Sequence, residues 1–390
     1  MVTIKSLRAR LPFDMDPASP LHLGHIFDTY GRTRVLLPLV CLTGVLFLIL
    51  NAASLMPYQS YVAKHESSSA RSAHASRQVR RVAAAAGNRT LGFQKVFYIS
   101  LPFRTDRQDG MSLIASLSGI DATHVPGVKG EDIHIKAQPP GWGSGNGPLG
   151  CWRSHANVWR RMLDENIETA LIMEDDADWD VDIKAQMVRA SRAILANPSV
   201  VTNTTEVKEG EPYRRDWDVF FMGQCFSRAR KPWTGPVVLY DDPSMPEFDT
   251  LSEQFQADLN AYGAAKGQRA IGRAADIICT TGYAVTNKGA QRLLFEIGYK
   301  NFPSPVDNMI SFRIMDGLIR GMVMVSPAIS MFRVGGIRDS DNMAVTGDVK
   351  DNSDGSSPDL RNSVREWMKG YMWPDTPIEQ YWPPVEVASG

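Results

Sequence analysis

The chain has 390 residues, 43% of them hydrophobic and 22% charged, which is the usage of an ordinary globular protein. Its 42 Lys and Arg against 43 Asp and Glu leave a formal net charge of −1. Nucleic acid is therefore not expected as a partner, and the length allows one large or two moderate domains.

The first distinctive segment is apolar. From Val35 to Leu50 no charge occurs and only Pro38, Thr43 and Gly44 interrupt the run; Asn51 to Met56 extends it weakly. A span of this size suits a thin membrane of the secretory pathway. Its distance from the N-terminus argues against an ordinary cleaved signal. Lys5, Arg8, Arg10, Arg32 and Arg34 precede it, so residues 1–34 are expected in the cytosol and 35–56 as a single-pass type II signal-anchor. Residues 57–92, rich in Ser, Ala, Arg and Gln, read as a disordered stalk. A lumenal body over 93–390, in the Golgi or another secretory-pathway membrane, follows. The sequons Asn88-Arg-Thr90 and Asn203-Thr-Thr205 suit a lumenal glycoprotein. With Cys41 in the anchor, Cys151, Cys225 and Cys279 leave room for one disulfide and one free thiol, pairing unspecified.

Val96-Phe-Tyr-Ile-Ser-Leu101 opens the body as a strand, followed by the polar loop 102–107 with Arg104 and Arg107. Residues 108–118 carry helical spacing until Gly119 stops them. The glycine-rich stretch 139–148 reads as a loop; it lacks the preceding strand and the lysine of a phosphate cradle. A helix is expected over 150–166, then strands at 170–173, 218–222 and 277–285, a helix at 288–294 and a strand at 323–326. Residues 228–270, with Pro and Asp clusters, read as a long insertion. Strands alternating with helices predict an α/β fold with a mostly parallel sheet.

The strand at 170–173 ends in Glu174-Asp175-Asp176. Ligands of open α/β sheets sit beyond the carboxyl ends of the strands, and an acidic cluster there can hold a hard cation that in turn holds phosphates. Trp152, His155 and Trp159 fall on one helix face, a spacing equally suited to a packed core histidine and to a ligand-contacting one. Asp178 and Asp180 form a second acidic pair, read as solvated loop acids.

Four segments in order resemble glycosyltransferase family 25. Val96 to Arg107 is similar to its opening strand and arginine-bearing loop. Leu149-Gly-Cys-Trp-Arg-Ser-His155 resembles its helix start, Ala170 to Asp176 its acidic strand end, and Gly282-Tyr-Ala-Val-Thr-Asn-Lys-Gly-Ala290 its strand before a Lys-Gly-Ala helix. Pro305-Val-Asp307 and Ser340-Asp341 follow where the family has acidic residues. The resemblance implies a GT-A-type nucleotide-sugar-binding fold and inverting transfer of a hexose, commonly galactose, from a UDP-linked donor to a hydroxyl of a glycan or glycoprotein.

On that reading Asp176 is the direct ligand of Mn²⁺ or Mg²⁺ and Asp175 the secondary one, while Glu174 bonds the donor ribose. Arg104 and Arg107 face the diphosphate or base, and His155 the donor phosphate or the acceptor. Asp307 is the candidate base, with helix capping as its plain alternative; Asp341 is its rival, backed by Asp339. The competing reading from another class is a membrane-tethered sugar-nucleotide- or glycan-binding protein on the same fold, without activity. A carboxylate-pair glycoside hydrolase is a third reading.

Overall fold

A computed structural model describes residues 73–200, 206–227, 235–300, 303–337, 339–342, 350–351 and 356–371. The expected cytosolic tail and anchor, residues 1–56, lie outside the described residues. Among the described residues no helix is long and apolar enough to cross a membrane.

Residues 73–84 form helix α1, so the folded body starts inside the segment that composition marked as stalk. Val82, Ala83, Ala86 and Leu91 are buried there. Alanine hides this from a composition reading: it adds little hydrophobicity, yet it favours helix and loses no side-chain entropy on burial. Asn88 is exposed just beyond, while Asn203 lies outside the described residues.

The elements that build the body run in chain order. β1 (Lys95–Ser100), α2 (Thr105–Ser118), β2 (Ala122–Pro126), α3 (Asn146–Asp164), β3 (Thr169–Glu174), β4 (Ala177–Trp179) and α4 (Ile183–Ala196) make the first half. β5 (Val219–Gly223), β6 (Phe226–Ser227), β7 (Val238–Asp241), α5 (Glu253–Tyr262), β8 (Gln268–Arg273) and β9 (Ile277–Ile278) follow. Then come β10 (Gly282–Thr286), α6 (Asn287–Leu293), α7 (Val306–Met315), β11 (Gly321–Val325), β12 (Ile329–Met331) and, after a short β-ribbon, α8 (Val364–Tyr371).

Eight strands form one sheet in the order β2-β1-β3-β10-β5-β11-β8-β7. β1 pairs in parallel with β2 and β3, and β11 with β5. Only β10 and β8 run against the rest, which gives the mostly parallel α/β sheet that a GT-A-like fold requires. Alternate residues feed two cores. Phe97, Ile99, Ile172 and Phe221 face α3, α6 and α7 on one side, and Val96, Tyr98, Leu171, Met173 and Phe220 face α2 and α4 on the other. Burial on both faces is why these strands are continuous apolar runs in the sequence.

The segment expected as an insertion instead contributes two strands of the sheet and a helix. Residues 228–234 lie outside the described residues, but β7 and β8 form the far edge of the main sheet. The strand at β8 is disguised by Arg269, which is 1% exposed and donates to Asp242 at 2.6 Å and to the carbonyls of Ser326 and Pro327. The strand expected at 277–285 is also broken. β9 pairs with β6, and β10 begins only after a turn at Cys279, whose φ is 69°. Cys279 is joined there to Cys225, 54 residues away, leaving Cys151 as the free thiol among the described residues.

Candidate functional site

β1, β2 and β3 are parallel, so their carboxyl ends open on one crevice; Glu174 sits in register with Ile99 there. Three adjacent carboxylates at such a place repel one another, and the fold resolves each differently. Asp175 accepts from Arg107 Nη1 at 2.6 Å. Glu174 Oε1 accepts from Thr280 Oγ1 at 2.6 Å and lies 3.5 Å from His155 Nε2. Burial works against its charge, but His155, Thr280 and Arg107 outweigh burial and hold the carboxyl below its usual range.

Asp176 is the unresolved one. Its Oδ1 is buried with no hydrogen-bond partner, and Arg107 comes no nearer than 4.0 Å to Oδ2. Burial first, and then the charge of Glu174, push its carboxyl up to about 7. A buried, unpartnered carboxylate oxygen at the end of a strand calls for a proton or a cation. An oxygen donor of this kind fits the hard ions Mn²⁺ and Mg²⁺.

Two cavities meet at these acids. The first, about 290 Å³, lies over the ends of β1 and β2 and is lined by Leu101, Phe103, Lys129, Asn146, His155 and Asp341 among others. The second, about 480 Å³, is bounded by the disulfide, Thr280, Asp307 and Phe332 to Val334. Arg107, Cys151, Glu174, Asp176, Ser340 and Asn342 line both, so they form the partition.

α3 supplies one side of that partition. It starts at Asn146, four residues earlier than its periodicity suggests, because the end of the glycine-rich stretch enters the helix. Gly147 and Gly150 are required by close approach: a Cβ there would lie 2.2 Å from the Asn342 carbonyl and 2.3 Å from the Val128 carbonyl. One turn on, His155 is 1% exposed. Its surroundings combine core packing with a place on a cavity wall. It packs among core aromatics, with Nδ1 2.8 Å from Tyr283 Oη, and its other nitrogen faces Glu174 at the first cavity.

Arg104 and Arg107 do not form the solvated turn that a loop reading allows. Arg104 is buried and contacts Asp106 at 2.8 Å, Asp339 at 2.7 Å and Asp341. Arg107 reaches Asp339 at 3.1 Å as well as Asp175. Together they fasten residues 339–342 across the mouths of both cavities. The two candidate bases consequently part company. Asp341 lies on the first cavity in an ion pair with Arg104. Asp307 lies on the second, in the first turn of α7, where its carboxylate accepts from the backbone N–H of Asn308 at 2.7 Å and of Cys279 at 3.1 Å.

Asp178 and Asp180, expected as solvated loop acids, are fully buried. Asp178 accepts from Ser357 at 2.6 Å, from Ser363 and from the Trp179 N–H; Asp180 accepts from the N–H groups of Asp182 and Asn362. They tie the C-terminal segment to β4 and line neither cavity. Cys151, Thr280 and Tyr283 had no site role in the sequence reading, and Asp339 only a place behind Asp341. Cys151 shows a helical signal, one turn before His155, and its Sγ, a His155 nitrogen and a Glu174 oxygen lie within 4.8 Å of one another. Burial and the nearby charges of Glu174, Asp307 and Asp176 push its thiol well up, so it stays protonated.

The sequence profile of glycosyltransferase family 25 (LPS biosynthesis protein) matches residues 93–310, more than half of the chain. The chain belongs to glycosyltransferase family 25. Procollagen galactosyltransferase 1 of Danio rerio is 24% identical over 218 residues, covering 52% of this chain and 29% of that protein. Procollagen galactosyltransferase 2 of Mus musculus is 23% identical over 218 residues, covering 52% and 28%. A glycosyltransferase 25 family member of Anopheles gambiae is 31% identical over 100 residues, covering 22% and 17%. The chain thus spans less than a third of the length of these relatives. The family match contains Arg104, Arg107, Cys151, His155, Glu174 to Asp176, Tyr283 and Asp307; the strap at 339–342 lies beyond it.

Proposed function

We propose that the partitioned crevice transfers a hexose, galactose in the reading that the relatives' names favour, from a nucleotide sugar to a hydroxyl of a glycan or glycoprotein. The observation that carries this is Asp176, whose Oδ1 is buried without a hydrogen-bond partner in the wall between two cavities. The first cavity is the donor side. It opens at the ends of parallel strands, where nucleotide ligands bind, and its mixed polar and apolar lining suits a nucleotide sugar. The second is the acceptor side.

Asp176 would hold Mn²⁺ or Mg²⁺, with Asp175 joining it only if Arg107 releases that carboxylate. A bound divalent ion neutralises charge on the departing diphosphate. The residues of the chain do the rest. Arg107 adds a fixed positive charge beside the same oxygens. Glu174 orients a donor hydroxyl. Asp307 takes the proton from the acceptor hydroxyl as its oxygen bonds to the anomeric carbon, and the bond from that carbon to the diphosphate oxygen breaks with both electrons leaving on the nucleotide. Attack from the acceptor side, opposite the departing group, inverts the anomeric centre.

The apolar run at 35–56 supports a type II anchor in the Golgi or another secretory membrane, and the Cys225–Cys279 disulfide fits an oxidising lumen. The decisive experiment is transfer from a panel of UDP- and GDP-sugars with and without Mn²⁺, on wild type and Asp176→Ala. Turnover that needs the metal, and falls by about 1,000-fold in the variant while the fold persists, is the expected result. Donor binding without turnover in wild type would favour the binding-protein reading.

A further inference from the structure

Behind the partition lies a buried polar chain whose first two members, Trp159 and Tyr283, touch neither cavity. Trp159 Nε1 lies 3.1 Å from Tyr283 Oη, Tyr283 Oη 2.8 Å from His155 Nδ1, and His155 Nε2 3.5 Å from Glu174 Oε1. Trp159 and Tyr283 are wholly buried and line neither cavity.

The direction of this chain follows from what each group can donate. An indole N–H is a donor only, so Tyr283 Oη must accept from Trp159. The hydroxyl proton of Tyr283 then needs an acceptor, and His155 Nδ1 is the one in reach. A hydrogen on Nδ1 would leave that hydroxyl proton unpaired in a dry core, which folded proteins avoid. The neutral ring therefore carries its hydrogen on Nε2, facing Glu174. Thr280 Oγ1 reaches the same carboxylate oxygen at 2.6 Å. Both contacts fall on Oε1, which leaves Oε2 available to a ligand.

We propose that Tyr283 and Trp159 are positioning residues that set the Nε2–H tautomer of His155 and thereby lock Glu174 with Oε2 turned toward a hydroxyl of the sugar-nucleotide donor. This rests on the sugar-transfer reading for its last step; the tautomer does not. The proposal also decides a competition. Cys151, His155 and Glu174 stand close enough to bind a thiophilic cation such as Zn²⁺ or Co²⁺, but such an ion needs the lone pair of Nε2 that the relay gives to a hydrogen. One nitrogen cannot serve both.

Two measurements test it. The first is the ¹⁵N spectrum of the seven histidines in the whole protein, with His155 assigned by its loss in His155→Gln. The expected result is a neutral His155 protonated on Nε2 in wild type, converting to a tautomer mixture in Tyr283→Phe. That variant removes a single oxygen and keeps the ring in the core. The second is kinetic. Tyr283→Phe raises the KM for the donor by about 10-fold with kcat and acceptor KM little changed, as expected when an orienting partner behind a histidine is lost.

A wild-type His155 protonated on Nδ1 overturns the relay whatever the turnover. A thiolate-to-cobalt absorption band on adding Co²⁺, absent in both Cys151→Ser and His155→Gln, overturns it too, by showing that His155 is a metal ligand beside Cys151. If no sugar nucleotide turns over, the sugar-transfer reading fails and the spectrum still judges the tautomer. If Tyr283→Phe alters the tautomer but not donor KM, the link to Glu174 is wrong.

Discussion

Two carboxylates on the second cavity have opposite local chemistry. Asp176 Oδ1 is left without a donor, and so is suited to a cation. Asp307 is held by two backbone N–H groups, and so is fixed in place while its remaining lone pairs stay free for a proton. Asp307→Asn keeps a carbonyl for one of those N–H groups and loses the basic oxygen. Its kcat should fall by about 100- to 10,000-fold, with donor affinity measured by titration unchanged. A variant that keeps near-wild-type kcat would move the base elsewhere, with Asp341 next in line. The arginines also deserve a different description from the one their loop position invites. Arg104 is spent on Asp106, Asp339 and Asp341, which makes it a clasp for the strap; Arg107 is the cation left closest to the acids.

Among the elements, the β6–β9 pairing matters most for the second cavity, the proposed acceptor side. It is only two residues long on each strand, too short to be stable by itself, and the Cys225–Cys279 disulfide closes it. Cys279 N–H in turn holds Asp307. Removing the crosslink with a Cys225→Ser, Cys279→Ser double variant should cost about 2–4 kcal/mol of stability. It should also raise the acceptor KM more than the donor KM, because both half-cystines line only the second cavity. Equal effects on both substrates would show that the crosslink serves stability alone. Element by element, legibility followed burial. β1 and β3 were readable because both of their faces are covered, leaving unbroken apolar runs. β8 was not, since a charged Arg269 inside a strand resembles loop until its buried partner Asp242 is seen. The acidic strand end announced a site. The contacts that complete it, Thr280 and Tyr283 on one side and Asp339 on the other, arise from β3–β10 register and from a distant strap, and no local pattern encodes those.

Across the molecule, buried charge is held in a few arginine–carboxylate clusters. At the base of the sheet, Asp218 accepts from Arg292 at 2.6 Å and from the side chain and backbone N–H of Arg320. Burial opposes its ionisation, yet the two arginines outweigh burial and hold its carboxyl below the ordinary value of 3.8. A depressed acid stabilises the fold fully above its unfolded value and loses that contribution as pH falls through the lower folded one. Asp218→Asn should therefore cost about 1–3 kcal/mol at neutral pH, and the gap between variant and wild type should close below about pH 4 in parallel urea titrations. A gap that widened on acidification would mean that the arginines do not stabilise this charge. The same economy of placement governs the crevice. Six residues serve as a common wall for both cavities, so a change in any of them alters two recognition problems at once. On the proposed sugar-transfer reading, donor preference and acceptor preference can be retuned separately only from residues that belong to one chamber, Phe103 and Lys129 on one side, Phe332 and Val334 on the other. Any engineered change of partner is thereby channelled to the outer rims, away from the shared wall.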